Sequence, residues 1–255
     1  MRKLYLLIIF LAGICCLSSC VDIEEHYAFK ADGSCDVAYN FDMSHAVAVL
    51  MNLMSDSVAA TPQFSMAKDT TLNFYSAIPD TTQQKLSAED VKLAKSSNLG
   101  IQMDLRKSLM KISINHQAKN ATDLKYYLEH ISRVANNSQL NSVTKNSKQI
   151  KGFDAGTLVS GQDYYDYDIT PHKFYRIVDK AKFNAFLKKT QATFVTAKAL
   201  LIETPYKLVL SFAKPVKTVH NPKALVSADH KTVTLITTMD EVIKNPAIMN
   251  LKIDF

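Results

Sequence analysis

Stretches in which every second residue is apolar recur in close pairs along this 255-residue chain, and that pattern restricts it to a fold built largely from hairpins. Ile23, Tyr27 and Phe29 alternate with polar residues, and Cys35, Val37, Tyr39, Phe41 and Met43 do the same after the turn Ala31-Asp32-Gly33-Ser34. Asp-Gly between two such runs is a hairpin signal. A second pair, Ile101-Met103-Leu105 and Met110-Ile112-Ile114, flanks a turn at Arg106 to Ser108. The C-terminal third repeats the theme. Tyr206, Leu208, Leu210 and Phe212 alternate, and Ala224 to Ser227 and Thr232 to Thr238 enclose a turn at Ala228 to Lys231. Met249, Leu251, Ile253 and Phe255 close the chain on one parity, which predicts a final strand paired in the sheet with Phe255 in the core.

Between these runs the apolar period changes to that of a helix. Ser44 is expected to cap a helix whose stripe, Ala46, Val49, Leu50, Leu53 and Met54, faces the core. Ser87 to Ala94 predicts a short helix. Thr122 is expected to cap another, with Leu124, Tyr127, Leu128, Ile131 and Ala135 inward. A fourth carries Phe183, Phe186, Leu187, Thr190 and Phe194 and runs to about Leu200. Residues 55–82 read mostly as loop, with a strand at Leu72 to Ile78, and residues 136–162 read as a polar loop. The expected fold class is α+β: antiparallel sheets built from hairpins, with three to four amphipathic helices on one face. It occupies residues 20–255 as a single domain, or as two lobes divided by the loop at 136–162.

The N-terminus predicts export. Arg2 and Lys3 precede an uncharged run from Leu4 to Ile14, too short to span a bilayer, which ends in the small pair Ala12 and Gly13. Leu17-Ser18-Ser19-Cys20 then resembles the bacterial lipobox. The resemblance implies that residues 1–19 are a cleaved signal peptide and that Cys20 carries the acyl chains that hold the protein to a membrane. Strand pattern begins three residues later at Ile23, so the folded domain is expected close against the bilayer.

Composition narrows the chemistry. Arg2 and Lys3 supply two of the six net positive charges, which leaves a mild +4 on the chain from Cys20 onward, with its lysines scattered. That charge predicts no nucleic-acid partner. Once Cys15, Cys16 and Cys20 are accounted for, Cys35 is the one thiol left, and its parity with Val37 and Tyr39 predicts a buried, unreactive group. G-x-S-x-G, H-E-x-x-H, C-x-x-C and Gly-rich phosphate loops are absent from the sequence. Ser-x-x-Lys occurs four times without companion motifs, as chance allows in a chain rich in both residues. Seven histidines show no ligand spacing, so neither a metal nor a cofactor is expected. The most suggestive local run is Asp163-Tyr164-Tyr165-Asp166-Tyr167-Asp168. Asp163, Tyr165, Asp166, Tyr167 and Asp168 are candidates for ligand binding, and the simpler reading is an amphipathic strand with tyrosines inward and aspartates outward.

Two stretches look familiar together: Glu24-Glu25-His26-Tyr27, Asp32-Gly33-Ser34 and Tyr39 to Ser44 after Cys20, and Ala213-Lys214-Pro215-Val216, Asn221, Ser227-Ala228-Asp229 and Thr232-Val233-Thr234 near the end. This pairing resembles uncharacterised lipoproteins of Bacteroidetes and, more loosely, the LppM-type lipoprotein domain. The resemblance implies an α+β, non-enzymatic envelope module. Val21 is not the aspartate that retains lipoproteins at the inner membrane of enteric bacteria, which implies an outer-membrane location. Asp56-Ser57-Val58, Asp69-Thr70-Thr71 and Asp80-Thr81-Thr82 resemble the O-glycosylation sequence of the same phylum, which makes Ser57, Thr70 and Thr81 candidate acceptors. The functional expectation is a lipid-anchored, non-catalytic binding or structural module at the outer membrane. Its rival is an envelope hydrolase with a site built from dispersed residues around Asp163 to Asp168.

Overall fold

The computed structural model describes residues 21–59, 61, 67–137, 160–199 and 204–255. Residues 1–20, with the expected signal peptide and Cys20, and most of the polar loop at 136–162 lie outside the described residues. Strands β1 (Asp22–Phe29) and β2 (Cys35–Asp42) form the first hairpin, in register from Asp22 opposite Asp42 to Phe29 opposite Cys35. Gly33 turns the chain at φ +83°, a left-handed angle that suits glycine, and Asp32 accepts hydrogen bonds from the amide and hydroxyl of Ser34.

Strands β3 (Ala67–Asn73), β4 (Ser97–Asp104) and β5 (Leu109–Ala118) extend this hairpin on one side. After β6 (Tyr165–Thr170) and β7 (Lys173–Val178) come β8 (Pro205–Phe212), β9 (Thr218–His220), β10 (Leu225–Val226), β11 (Thr232–Thr238) and β12 (Leu251–Asp254). They assemble into an eight-stranded sheet, ordered β10-β11-β8-β1-β2-β5-β4-β3, and a four-stranded sheet, ordered β6-β7-β12-β9. The smaller sheet is antiparallel. The larger is mixed, because β1 and β8 run parallel, with Ile23 opposite Tyr206 and Phe29 opposite Phe212. The expectation of purely antiparallel sheets is corrected there: alternation fixes which residues share a face but not which strand is the neighbour.

The helices are α1 (Ser44–Leu53), α2 (Ala88–Lys95), α3 (Ala121–Asn137), α4 (Lys180–Ala199) and α5 (Met239–Lys244). Helical turns at Asp56–Ala59 and Asp80–Gln83 and the strand β3 occupy the stretch expected to be loop, and β3 ends at Asn73 rather than spanning Leu72 to Ile78. The short helix expected over Ser87 to Ala94 is α2, which Ser87 caps by accepting from the Asp90 amide. Two capping expectations are corrected. Ser44 is the first residue of α1, and its hydroxyl accepts from the Met110 amide of β5 instead. Asn120, not Thr122, caps α3 by accepting from the Asp123 amide. The stripe expected to bury α1 also fails: Val47 is its one fully buried residue, while Leu50 and Leu53 are 48% and 72% exposed.

One hydrophobic cluster joins both sheets and the helices α2, α3, α4 and α5. Phe174 of the small sheet packs against Tyr27 and Phe29 of β1, with ring centroids 5.4 and 5.8 Å away. Phe255 closes the far end against Phe29 and Phe212, at 5.1 and 4.6 Å. The opposite face of the large sheet contains no fully buried residue; Asn40, Ser113, Gly100 and their neighbours there are half-buried or exposed.

Candidate functional site

The outer face of the large sheet dips around Gly100 into an open groove of about 530 Å³. The dip follows from the sequence. Gly100 stands opposite Ser113 on β5 and Thr71 on β3, at a position where the neighbouring strands present side chains. A Cβ there would come within 2.5 Å of the Ser113 hydroxyl, so the missing side chain is what opens the floor. Asn40, Thr71, Gln102 and Ser113 line it with neutral hydrogen-bonding groups, and Asp22, Glu24, Asp42, Asp69 and Lys111 rim it.

Two of its carboxylates are held ionised. Lys111 donates to Asp42 at 2.9 Å, and Glu24 pairs with His26 at 3.0 Å and Lys207 at 3.1 Å. The His26 contact, against the opposing effect of burial and with the help of Lys207, lowers the Glu24 carboxyl below its ordinary range. For Asp42, burial pushes upward, but hydrogen bonds from Ser44 and Lys111 prevail and lower it. Groups fixed in their charged form recognise a partner by charge and hydrogen bonding; they are poor proton donors near neutral pH.

Behind the same strands, on the inner face, lies a sealed polar cluster. Glu25 of β1 accepts hydrogen bonds from Arg176 of β7 at 2.8 Å, from Gln162 at 2.7 Å, from Tyr27 at 3.1 Å and from Tyr206. Tyr27 also shares a hydrogen bond of 2.7 Å with Tyr39, and Tyr167 donates to Gln162. The Arg176 guanidinium stacks 4.4 Å from the centre of the Tyr165 ring, a cation–π contact. Burial, and after it the charge of Glu25, pushes the Tyr27 and Tyr206 hydroxyls far above the ordinary tyrosine range, so both stay protonated donors. Glu25 and Arg176 are 1% and 0% exposed, which closes this cluster to a substrate.

The structure divides the candidate run at 163–168 between these settings. Tyr165 and Tyr167 face inward into the sealed cluster. Asp166 and Asp168 point outward and are paired at 2.6 Å with Lys182 and Lys173. Asp163 accepts from Ser132 of α3, and burial pushes its carboxyl up. These residues do not converge on one open site, and among the described residues no group of three or more His, Cys, Asp or Glu is placed to hold a metal ion. Ser57 and Thr81 are exposed, whereas Thr70 lies half-buried in the middle of β3. Cys35 is buried, and desolvation pushes its thiol up to about 12.

The Glu25–Arg176 pair was within reach of the sequence. Glu25 shares parity with Ile23, Tyr27 and Phe29, and Arg176 with Phe174 and Val178, so each is a charge on the apolar face of its strand. The groove had no such signal, because it depends on strands brought together from distant parts of the chain. No family model, curated protein or solved structure matches this chain.

Proposed function

We propose that this protein is a lipid-anchored lipoprotein of the bacterial envelope, held at the outer membrane through acyl chains on Cys20, and that it acts as a non-catalytic binding module whose recognition surface is the groove around Gly100. The observation that carries this reading is the groove itself: a polar dip, open among the described residues, in a sheet that includes β1, which begins two residues after Cys20. Its floor offers amides and hydroxyls and its rim offers fixed charges, a lining suited to a hydrated polar partner such as a glycan or an extended peptide. The most heavily charged inner cluster is closed by tyrosines and serves the fold. Ser57 and Thr81, exposed on helical turns, are the accessible acceptors for an O-glycan.

Two experiments test the two halves of the proposal. Cys20→Ala is expected to abolish acylation and release the protein from the membrane fraction; a variant still retained after a carbonate wash refutes the anchor. A photo-crosslinking residue at Gln102, in the groove, is expected to capture a defined envelope component in the native host. The same probe at Asn115, on the same face outside the groove, is not. Gly100→Val, which fills the floor, is expected to abolish the Gln102 product. Identical capture from both positions, or capture indifferent to Gly100→Val, refutes the groove as the binding surface.

A further inference from the structure

Helix α1 is anomalous. From Met43 to Ser55 the sequence MSHAVAVLMNLMS contains no Asp, Glu, Lys or Arg. A helix apolar on nearly all sides is normally buried. Here Val47 alone is fully buried, and Leu50 and Leu53 are 48% and 72% exposed, followed by Val58 at 44% on the next helical turn. Exposed apolar side chains so close together mark a surface that meets something other than water.

Its place in the fold indicates what that is. Asp22, at the start of β1, pairs with Asp42, and α1 begins two residues beyond Asp42. The Met43 amide donates to Met110 and the Met110 amide to Ser44, which fixes the start of α1 against β5. Cys20 precedes Asp22 by two residues, a reach of about 7 Å at most, and paired strands lie about 5 Å apart. The attachment point of the lipid is therefore confined to within about 20 Å of the start of α1. The turn Leu105–Lys107, with Arg106 and Lys107 exposed, joins β4 to β5 at the same end of the sheet.

We infer that α1 and the turn after it form a membrane-contact surface, with Leu50, Leu53 and Val58 entering the interface of the leaflet that receives the acyl chains, and Arg106 and Lys107 facing its headgroups. The occupant is the lipid bilayer, and the inference rests on the reading of Cys20 as the lipidated residue. Helices that lie in the plane of an interface sink their apolar face about 5–10 Å below the headgroups, a depth that leucine side chains on a docked helix reach. This contact holds the domain in one orientation, whereas acyl chains alone leave it free to pivot. The free end of the β1–β2 hairpin, about 25 Å from Asp22 along the strand, then points away from the membrane.

The test uses the full acylated protein with Cys35→Ala, a single new cysteine and a nitrobenzoxadiazole label. Leu53→Cys and Val58→Cys report on the contact surface, and Ala31→Cys, exposed at the far end of the hairpin, is the control. Each is placed in vesicles of phosphatidylethanolamine and phosphatidylglycerol containing lipid doxyl-labelled near the headgroup. At positions 53 and 58 the emission is expected to shift to the blue and lose most of its intensity to the quencher; at position 31 it is expected to do neither. Acylated protein that floats with the vesicles while positions 53 and 58 behave like position 31 overturns the contact surface and leaves the anchor standing. Protein without acyl mass that stays in solution overturns the anchor and the contact surface together.

Discussion

Arg176 donates to Glu25 across 2.8 Å, between side chains 0% and 2% exposed and 151 positions apart in the chain. Water reaches neither member, and the pair ties the centre of the large sheet to the small one. Among the described residues the buried Nε and Nη2 atoms of Arg176 have no hydrogen-bond partner, so its charge is answered there mainly by Glu25 and by the ring of Tyr165.

Removing one partner leaves the other charged in a closed space. Arg176→Met is therefore expected to destabilise the protein by about 3–5 kcal/mol, the range seen when a buried pair is broken. The double variant Glu25→Gln/Arg176→Met is expected to cost less than the sum of the two single changes. Urea denaturation checks both. A loss below about 1 kcal/mol for Arg176→Met, typical of exposed pairs, would show that the cluster admits water.

His116 predicts an acid-sensitive stability. Its ring stacks 3.9 Å from that of Tyr127, and its Nδ1 meets the Ser97 hydroxyl at 2.9 Å. That hydroxyl already donates to the Leu93 carbonyl, so it is the imidazole Nδ1–H that donates to Ser97, while the buried Nε2 has no partner among the described residues. Burial pushes the imidazole down from 6.5 to about 4. The unfolded chain then takes up a proton below pH 6.5 that the folded protein refuses until about pH 4. The contribution is complete above the first value and is lost as pH falls toward the second, a span worth about 3 kcal/mol. Because carboxylates titrate nearby, the measurement is a difference: stability of the wild type and of His116→Leu between neutral pH and pH near 4. Parallel curves would refute the neutral, buried histidine.

The thiol of Cys35 is expected to resist a small maleimide for hours in the native protein at neutral pH and to react within minutes in denaturant. Its accessibility is 1%, and its thiolate is disfavoured by burial. Rapid native labelling, read by intact mass, would mean that the β1–β2 hairpin opens readily.

Deleting Leu251 to Phe255 removes a strand with partners on both sides, β7 and β9, together with the Phe255 ring. Truncating one well-packed Phe to Ala costs about 3–5 kcal/mol, and here two strands lose hydrogen bonds as well. The product is expected to be protease-sensitive at temperatures the full protein tolerates. Equal melting temperatures would show that the last strand contributes little.

Local order was legible from residue spacing wherever one face of a strand is buried. The hairpins at β1–β2 and β4–β5, the inward tyrosines of β6 and the closing strand all follow from side-chain parity, since a slip of one residue would expose the whole apolar set. The parallel pairing of β1 with β8 was not legible, because the same parity fits any neighbour. The exposure of α1 was missed for a related reason: periodicity locates an apolar stripe without saying what covers it, and Leu53 satisfies the pattern as well as any core leucine. The groove at Gly100 exists only once Thr71, Ser113 and Asn40 are side by side.

The parallel pairing also sets an order of events. β1 precedes the other described strands in the chain, yet one of its two neighbours, β8, lies 183 residues later, as the Glu24–Lys207 contact marks. β1 is therefore without its second partner until the chain as far as β8 is free to fold. Through that interval the β1 edge of the β1–β2 hairpin is unpaired, a template on which another chain could add. Glu24 and the inward Glu25 place carboxylates along that edge. Until β8 is in place, those carboxylates disfavour the addition of another chain at that edge.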